Sequence, residues 1–188
     1  MESIGQALAN EYMYLFARTL VGLALLAAGL AKLLGGRKFV EVVRNDRLLP
    51  DELVAPVGRL VPLAEVCAAV LMFTDLLQPG AAAAAALLFL MFGGAIAINL
   101  LRGRSYISCG CFGVAGEQRL SWAMVVRNLL FAALAVLPQQ ARAGAPAATR
   151  LAPDEATVTV LLAVAALASF LMLGVVVKNW DVAEGEHE

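Results

Sequence analysis

Charge is scarce in this 188-residue chain: Lys, Arg, Asp and Glu make up 15% of it, against about 25% in an average soluble domain. What charge there is nearly cancels, with 14 basic and 15 acidic residues. No bulk field therefore exists to recruit nucleic acid or another polyanion. Histidine occurs once, as His187 near the end of the chain, and cysteine three times, as Cys67, Cys109 and Cys111. Zinc at Cys109 and Cys111 would need further ligands, and His187 in the tail is a poor candidate. The alternating strands of a membrane barrel are missing too. Hydrophobic residues, by contrast, make up 61% of the chain, which excludes a disordered protein and an ordinary cytosolic enzyme.

A helix crossing a bilayer needs ~20 mostly apolar residues, and five stretches qualify: 12–34, 60–77, 81–101, 121–138 and 157–178. Backbone polar groups cannot go unpaired in hydrocarbon, so each is expected to be helical. The fold class that follows is all-α, a polytopic transmembrane bundle of four helices with a fifth, C-terminal span. The first stretch does not read as a signal peptide, because it is long and no Lys or Arg precedes it. Gln78-Pro79-Gly80 predicts a tight turn between spans two and three. Residues 35–59 read as a charged connection holding a short amphipathic stretch that ends near Leu48-Leu49-Pro50. The domain plan is a core over 1–138, a small-residue linker over 139–156, the fifth span, and a disordered acidic tail over 179–188. Ala81 to Ala86 reads as a site of close helix packing.

Nine basic residues fall on one side of this arrangement, in the loops after spans one and three and in the tail, and two, Arg142 and Arg150, fall on the other. The positive-inside rule then puts the nine-charge side in the cytoplasm and the N-terminus outside. Arg18, Lys32, Glu65, Asp75 and Arg127 lie inside spans, where charge is costly and marks pairing or function. Depth at ~1.5 Å per residue predicts one polar layer of Lys32, Glu65, Asn99, Arg127 and Asn128, contributed by four helices. Glu65, its only acid, is expected to pair with Lys32 or Arg127. Such a pair either fixes helix register or takes part in chemistry. Arg18 and Asp75 would form a second, structural pair near the opposite face.

The loop into span four carries Cys109-Gly110-Cys111-Phe112-Gly113. Two thiols flanking one glycine can close a small, strained disulfide, which suits exchange better than permanence. Nearby Arg102, Arg104 and Arg127 would favour the reactive thiolate. A structural turn and a soft-metal site for Cu(I) are the other readings of so short a motif. Cys67 lies about 200° around its helix from Glu65 and reads as a small core residue.

Arg18, then Gly29-Leu30-Ala31-Lys32-Leu33, Leu48-Leu49-Pro50 and Pro62-Leu63-Ala64-Glu65 stand in order along the chain. They are followed by Asn99-Leu100-Leu101-Arg102-Gly103-Arg104, Cys109-Gly110-Cys111-Phe112-Gly113, Ser121 and Arg127-Asn128. In these pieces the chain resembles the MauE family of methylamine-utilisation membrane proteins, grouped with the DoxX-like redox-associated membrane proteins. The resemblance covers roughly residues 12–137. It implies a bacterial cytoplasmic-membrane protein engaged in thiol–disulfide exchange or maturation of exported redox proteins. Cys109 and Cys111 would be the redox pair, with Lys32, Glu65 and Arg127 in support, tuning thiolate formation and relaying protons. Its partners would be the lipid bilayer and a thioredoxin-like protein, or a quinone as electron carrier. No cofactor or resident metal follows from the residues themselves. The family's expected partners lie outside the membrane, whereas the charge count puts the Cys109 loop inside. A non-catalytic accessory or assembly subunit of a larger membrane redox complex is the competing reading. A solute carrier fits less well, since no inverted repeat is visible.

Overall fold

A computed structural model describes residues 2–74, 77, 80–105, 119–143, 157–164, 166 and 168, with the side chains of 2–11 and 138–143 left aside. Its elements are helices: α1 (Glu2–Gly35), α2 (Arg37–Asp46), α3 (Asp51–Phe73), α4 (Gly80–Leu101) and α5 (Trp122–Ala143). Residues 157–164 are helical as well, at the start of the expected fifth span. Three helices are long and apolar enough to cross a membrane, over Tyr12–Gly35, Asp51–Phe73 and Gly80–Leu101, and Trp122–Leu137 is a shorter apolar helix. The protein is thus an all-helical, multi-pass membrane protein.

α1 packs against α3 and α5, and α4 packs against α5 and α3. The four long helices close a ring in which α1 and α4 stand on one diagonal. Small side chains allow this. Ala81, Ala82, Ala85 and Ala86 are buried while Ala83 and Ala84 face outward, so the alanine run presents one narrow stripe to Ala24, Ala68, Ala69, Ala132 and Ala135 of the core. Phe89 and Phe131 stack across α4 and α5 with ring centroids 5.0 Å apart. Leu60, Leu63, Val70, Leu87, Leu90, Leu129 and Leu130 stay exposed, which in a bilayer is a lipid-facing surface rather than a solubility defect.

One expectation fails here. The second span does not begin at Leu60 but nine residues earlier, at Asp51. Pro50, with φ −57° and ψ 147°, starts the helix, and Asp51 and Glu52 sit in its first turn, where acidic side chains favour the positive end of the helix dipole. Pro56 and Pro62 lie inside α3, and a membrane helix absorbs such prolines through its neighbours. A β-carbon on Gly29 of α1 would stand 2.9 Å from Val66 Cγ2 and 3.1 Å from Pro62 O. This contact fixes the register of the antiparallel pair. It brings the end of α1 level with the turn of α3 around Gly58 and leaves about seven residues of α3, roughly 10 Å, projecting beyond it.

The projecting turns carry α2. Gly36, with φ +50°, makes the corner out of α1 in a conformation that favours glycine. Val40 of α2 then packs on Gly58, whose missing side chain would have met Val40 Cγ2 at 3.0 Å. From there α2 reaches the end of α4, where the carbonyls of Asn45, Asp46 and Arg47 accept hydrogen bonds from Arg102 and Arg104. This helix of ten residues joins the two diagonal corners α1 and α4. It closes the bundle end over the polar groups inside.

Candidate functional site

Lys32 and Glu65 form a salt bridge, Nζ to Oε1, with side chains 1% exposed on either partner. The close approach at Gly29 brings their helices near enough for the contact. Of the two partners open to Glu65, the structure selects Lys32. The ammonium also lies 4.2 Å from the Phe92 ring centroid and 5.4 Å from that of Phe39, positions in which the negative faces of the rings attract a cation. Phe39 is the buried residue of α2, so the amphipathic helix is what removes the pair from the headgroup region. Glu65 Oε2 is buried and accepts no hydrogen bond among the described residues.

A second polar cluster lies further out. Asn99 is fully buried and donates through Nδ2 to Ala95 O at 3.1 Å and to Asp46 Oδ1 at 3.5 Å. Its Oδ1 accepts from Arg104 Nη1 at 3.2 Å. The same guanidinium donates to Asp46 O at 2.9 Å and Asn45 O at 2.6 Å. Arg104 thereby satisfies the open carbonyls at the end of α2, where a cation also favours the helix dipole. Gly103, with φ +72°, turns the chain after α4 so that Arg104 can point back. Burial pushes the Asp46 carboxyl up to about 6, against the lowering influence of Arg104.

The residues expected in a single layer therefore occupy two heights. Asn128 is level with Gly93, where a β-carbon would meet Asn128 Cβ at 3.3 Å, and Phe92 is level with Lys32 Nζ. Asn99 lies six residues further along α4, roughly 9 Å at ~1.5 Å per residue. Depth estimated from span ends missed this, because the true start of α3 shifts the count. Asn128 donates to Met124 O at 2.7 Å, within its own helix, and Arg127 beside it is half-buried.

Near the other face, Arg18 donates to the carbonyls of Met72 and Phe73, at the end of α3. Asp75, its expected partner, lies outside the described residues. Cys67 is a free thiol and exposed, not the core residue expected. Because Glu65 points inward, the position about 200° around the helix turns out to lipid. Asp46 and Phe92 were not singled out from sequence, and Phe39 only as part of the amphipathic stretch. A helical wheel of α2 would have found Asp46, which sits between Val42 and Phe39 on its apolar arc.

Cys109 and Cys111 lie outside the described residues. The described residues that flank them meet, as Leu120 N–H donates to Ser105 O at 3.1 Å. That junction directly follows Arg104 and its contacts with α2. Among the described residues no three His, Cys, Asp or Glu side chains gather to hold a metal ion, so a soft-metal reading rests on the two cysteines alone.

Residues 10–139 match the family model described as methylamine utilisation protein MauE. The chain is 42% identical over 155 residues to the methylamine utilization protein MauE of Paracoccus denitrificans, an overlap covering 82% of this chain and 81% of that one. It is 40% identical over 121 residues to that of Methylorubrum extorquens, covering 64% and 65%. It is 35% identical over 172 residues to that of Methylophilus methylotrophus, covering 91% and 85%. No solved structure matches the chain significantly. The buried pair, the α2 clamp and the cysteine segment all fall within residues 10–139, and the chain belongs to the MauE family.

Proposed function

We propose that the protein is a membrane-embedded accessory of methylamine utilisation that exchanges disulfides during maturation of an exported redox protein, with Cys109 and Cys111 as the exchanging pair. The observation that carries this reading is the meeting of the residues that flank the Cys-Gly-Cys segment. Ser105 and Leu120 are joined by a backbone hydrogen bond directly after Arg104. Arginines near a thiol favour thiolate, and a pair separated by one residue closes a strained disulfide that readily gives up its bond. In the exchange, a thiolate of the substrate attacks one sulfur of the Cys109–Cys111 disulfide and forms a mixed disulfide while the other cysteine leaves as thiolate. A second substrate thiolate then attacks the mixed disulfide. The substrate ends oxidised and the cysteine pair reduced by two electrons, to be reoxidised by a thioredoxin-like partner or a quinone.

Lys32 and Glu65 neutralise one another under α2, which favours a scaffold role for them, with Arg127 contributing positive potential. A bundle whose polar groups serve only to dock on a larger redox complex is the second reading, favoured by this internal neutralisation. The membrane is the bacterial cytoplasmic membrane. Charge count puts the N-terminus outside and the Cys109 loop on the cytoplasmic side. Exchange with an exported protein therefore requires either the reverse orientation or cysteines reached through the bundle from the far side. Trapping the thiols in intact cells with a membrane-impermeant reagent tests chemistry and sidedness together. A Cys109–Cys111 bond that opens with reductant supports exchange. Thiols that stay reduced in oxidised membranes, with methylamine growth unchanged in the Cys109→Ser/Cys111→Ser double variant, would leave the docking reading.

A further inference from the structure

Arg102 and Arg104 commit donors to the carbonyls of α2, but the cations on the outer side of α2 do not serve the fold in this way. Successive residues turn by 100°, so Phe39, Val40, Val42, Val43 and Asp46 fill the arc toward α3 and the bundle end. Arg37, Lys38, Glu41, Arg44 and Asn45 fill the opposite arc, and all five are exposed. The side chains of Arg37, Lys38 and Arg44 make no hydrogen bond or ion pair among the described residues, and Glu41 is the single acid on that arc. Uncompensated cations on one face of a helix whose other face is buried are a surface prepared for anions.

The height of this face identifies the anion. α2 starts two residues after the end of α1, where Leu34 is 89% exposed, and Leu101 and Trp122 are exposed at the same end of α4 and α5. Such side chains belong at the border of the hydrocarbon, with Trp favoured at the interface. A helix joined directly to that border has its outer face among the headgroups. We propose that the outer face of α2 binds anionic phospholipid headgroups, with Arg37, Lys38 and Arg44 as the phosphate-binding residues. The bound lipid anchors α2 from outside while Phe39 and the Arg104 clamp hold it from inside. This site is independent of the cysteine chemistry.

The test uses the full chain purified in mild detergent and exposed to equal amounts of phosphatidylglycerol and phosphatidylcholine, with native mass spectrometry counting the lipid retained. Each basic residue near an anionic surface is worth about fivefold in binding at low salt. Preferential retention of phosphatidylglycerol is expected, falling at least tenfold in Arg37→Gln/Lys38→Gln/Arg44→Gln and rising in Glu41→Gln, with added salt weakening it. Arg37→Lys/Arg44→Lys keeps the charge and should keep the lipid. Loss in that variant as well would make the face structural and overturn the proposal. Equal retention of the two lipids, or a triple variant that retains phosphatidylglycerol normally, would also overturn it. So would an acidic polypeptide that occupies the face in the absence of any lipid preference.

Discussion

The Phe39 ring lies over the Lys32 ammonium, 5.4 Å from centroid to Nζ, although the corner at Gly36 separates the helices that carry them. The salt bridge and the closure of the bundle end by α2 are therefore one arrangement. Removing the anion disturbs both. Glu65→Gln leaves Lys32 charged and buried, and breaking a buried pair from one side costs about 3–5 kcal/mol. We expect less folded protein in the membrane and faster amide exchange along α2. Lys32→Met/Glu65→Leu, which removes both charges, should recover most of the loss. Wild-type abundance and exchange in Glu65→Gln would contradict this account.

Gly29 and Gly94 make a matched pair of probes. A β-carbon on Gly29 meets Val66 Cγ2 at 2.9 Å and the Pro62 carbonyl at 3.1 Å, whereas one on Gly94 meets nothing within 4 Å. Backbone cannot swing aside, so Gly29→Ala should push α1 off α3 and cost about 1–3 kcal/mol. Gly94→Ala should be neutral or slightly stabilising, as alanine favours a helix. Thermal melting in detergent compares them directly, and equal melting points would refute the close approach.

Arg104 reaches three acceptors with one planar group, a geometry an ammonium cannot copy. Arg104→Lys is therefore expected to behave like Arg104→Gln. In both, amides at the C-terminal end of α2 should exchange at least tenfold faster, corresponding to about 1.4 kcal/mol of local stability. Rescue by lysine would mean that charge alone holds the clamp.

Asp46 gives the fold a pH dependence with a definite sign. Burial raises its carboxyl to about 6 in the folded protein, above the ordinary 3.8, so the folded state binds a proton more readily than the unfolded one. This contribution to stability is fully present below about 3.8 and is lost as pH rises through about 6. Asp46→Asn mimics the protonated form and keeps the Asn99 contact. It should melt higher than wild type at pH 8, with the gap narrowing as pH falls through about 6 and closing near 3.8. A constant gap from pH 4 to pH 8 would assign the effect to packing.

The helical membrane class and a buried cationic partner for Glu65, either Lys32 or Arg127, were legible in the sequence because both rest on strong physical penalties. Long apolar runs have few alternatives, and an acid among bases inside a span needs a partner. The start of α3 was not legible, because Asp51, Glu52, Pro56, Gly58 and Arg59 look like a loop when taken singly. Together they are an acidic first turn followed by a seat for Val40. Hydropathy cannot see that seat, which exists only once α2 has folded back. Cys67 was misjudged for a related reason: in a membrane an outward position is also apolar, so a small thiol fits either face.

Lys32 is made 33 residues before Glu65, and that order bears on how the chain enters the bilayer. At synthesis rates of about 5–20 residues per second, the lysine waits roughly two to seven seconds for its counter-ion. An unpaired lysine deep in a span costs about 2.5–3.5 kcal/mol by insertion scales. Its place one turn before the end of α1 lets the long side chain reach the headgroups during that interval. The inward, paired position of the ammonium requires α3, which favours α1 and α3 completing their insertion as a pair.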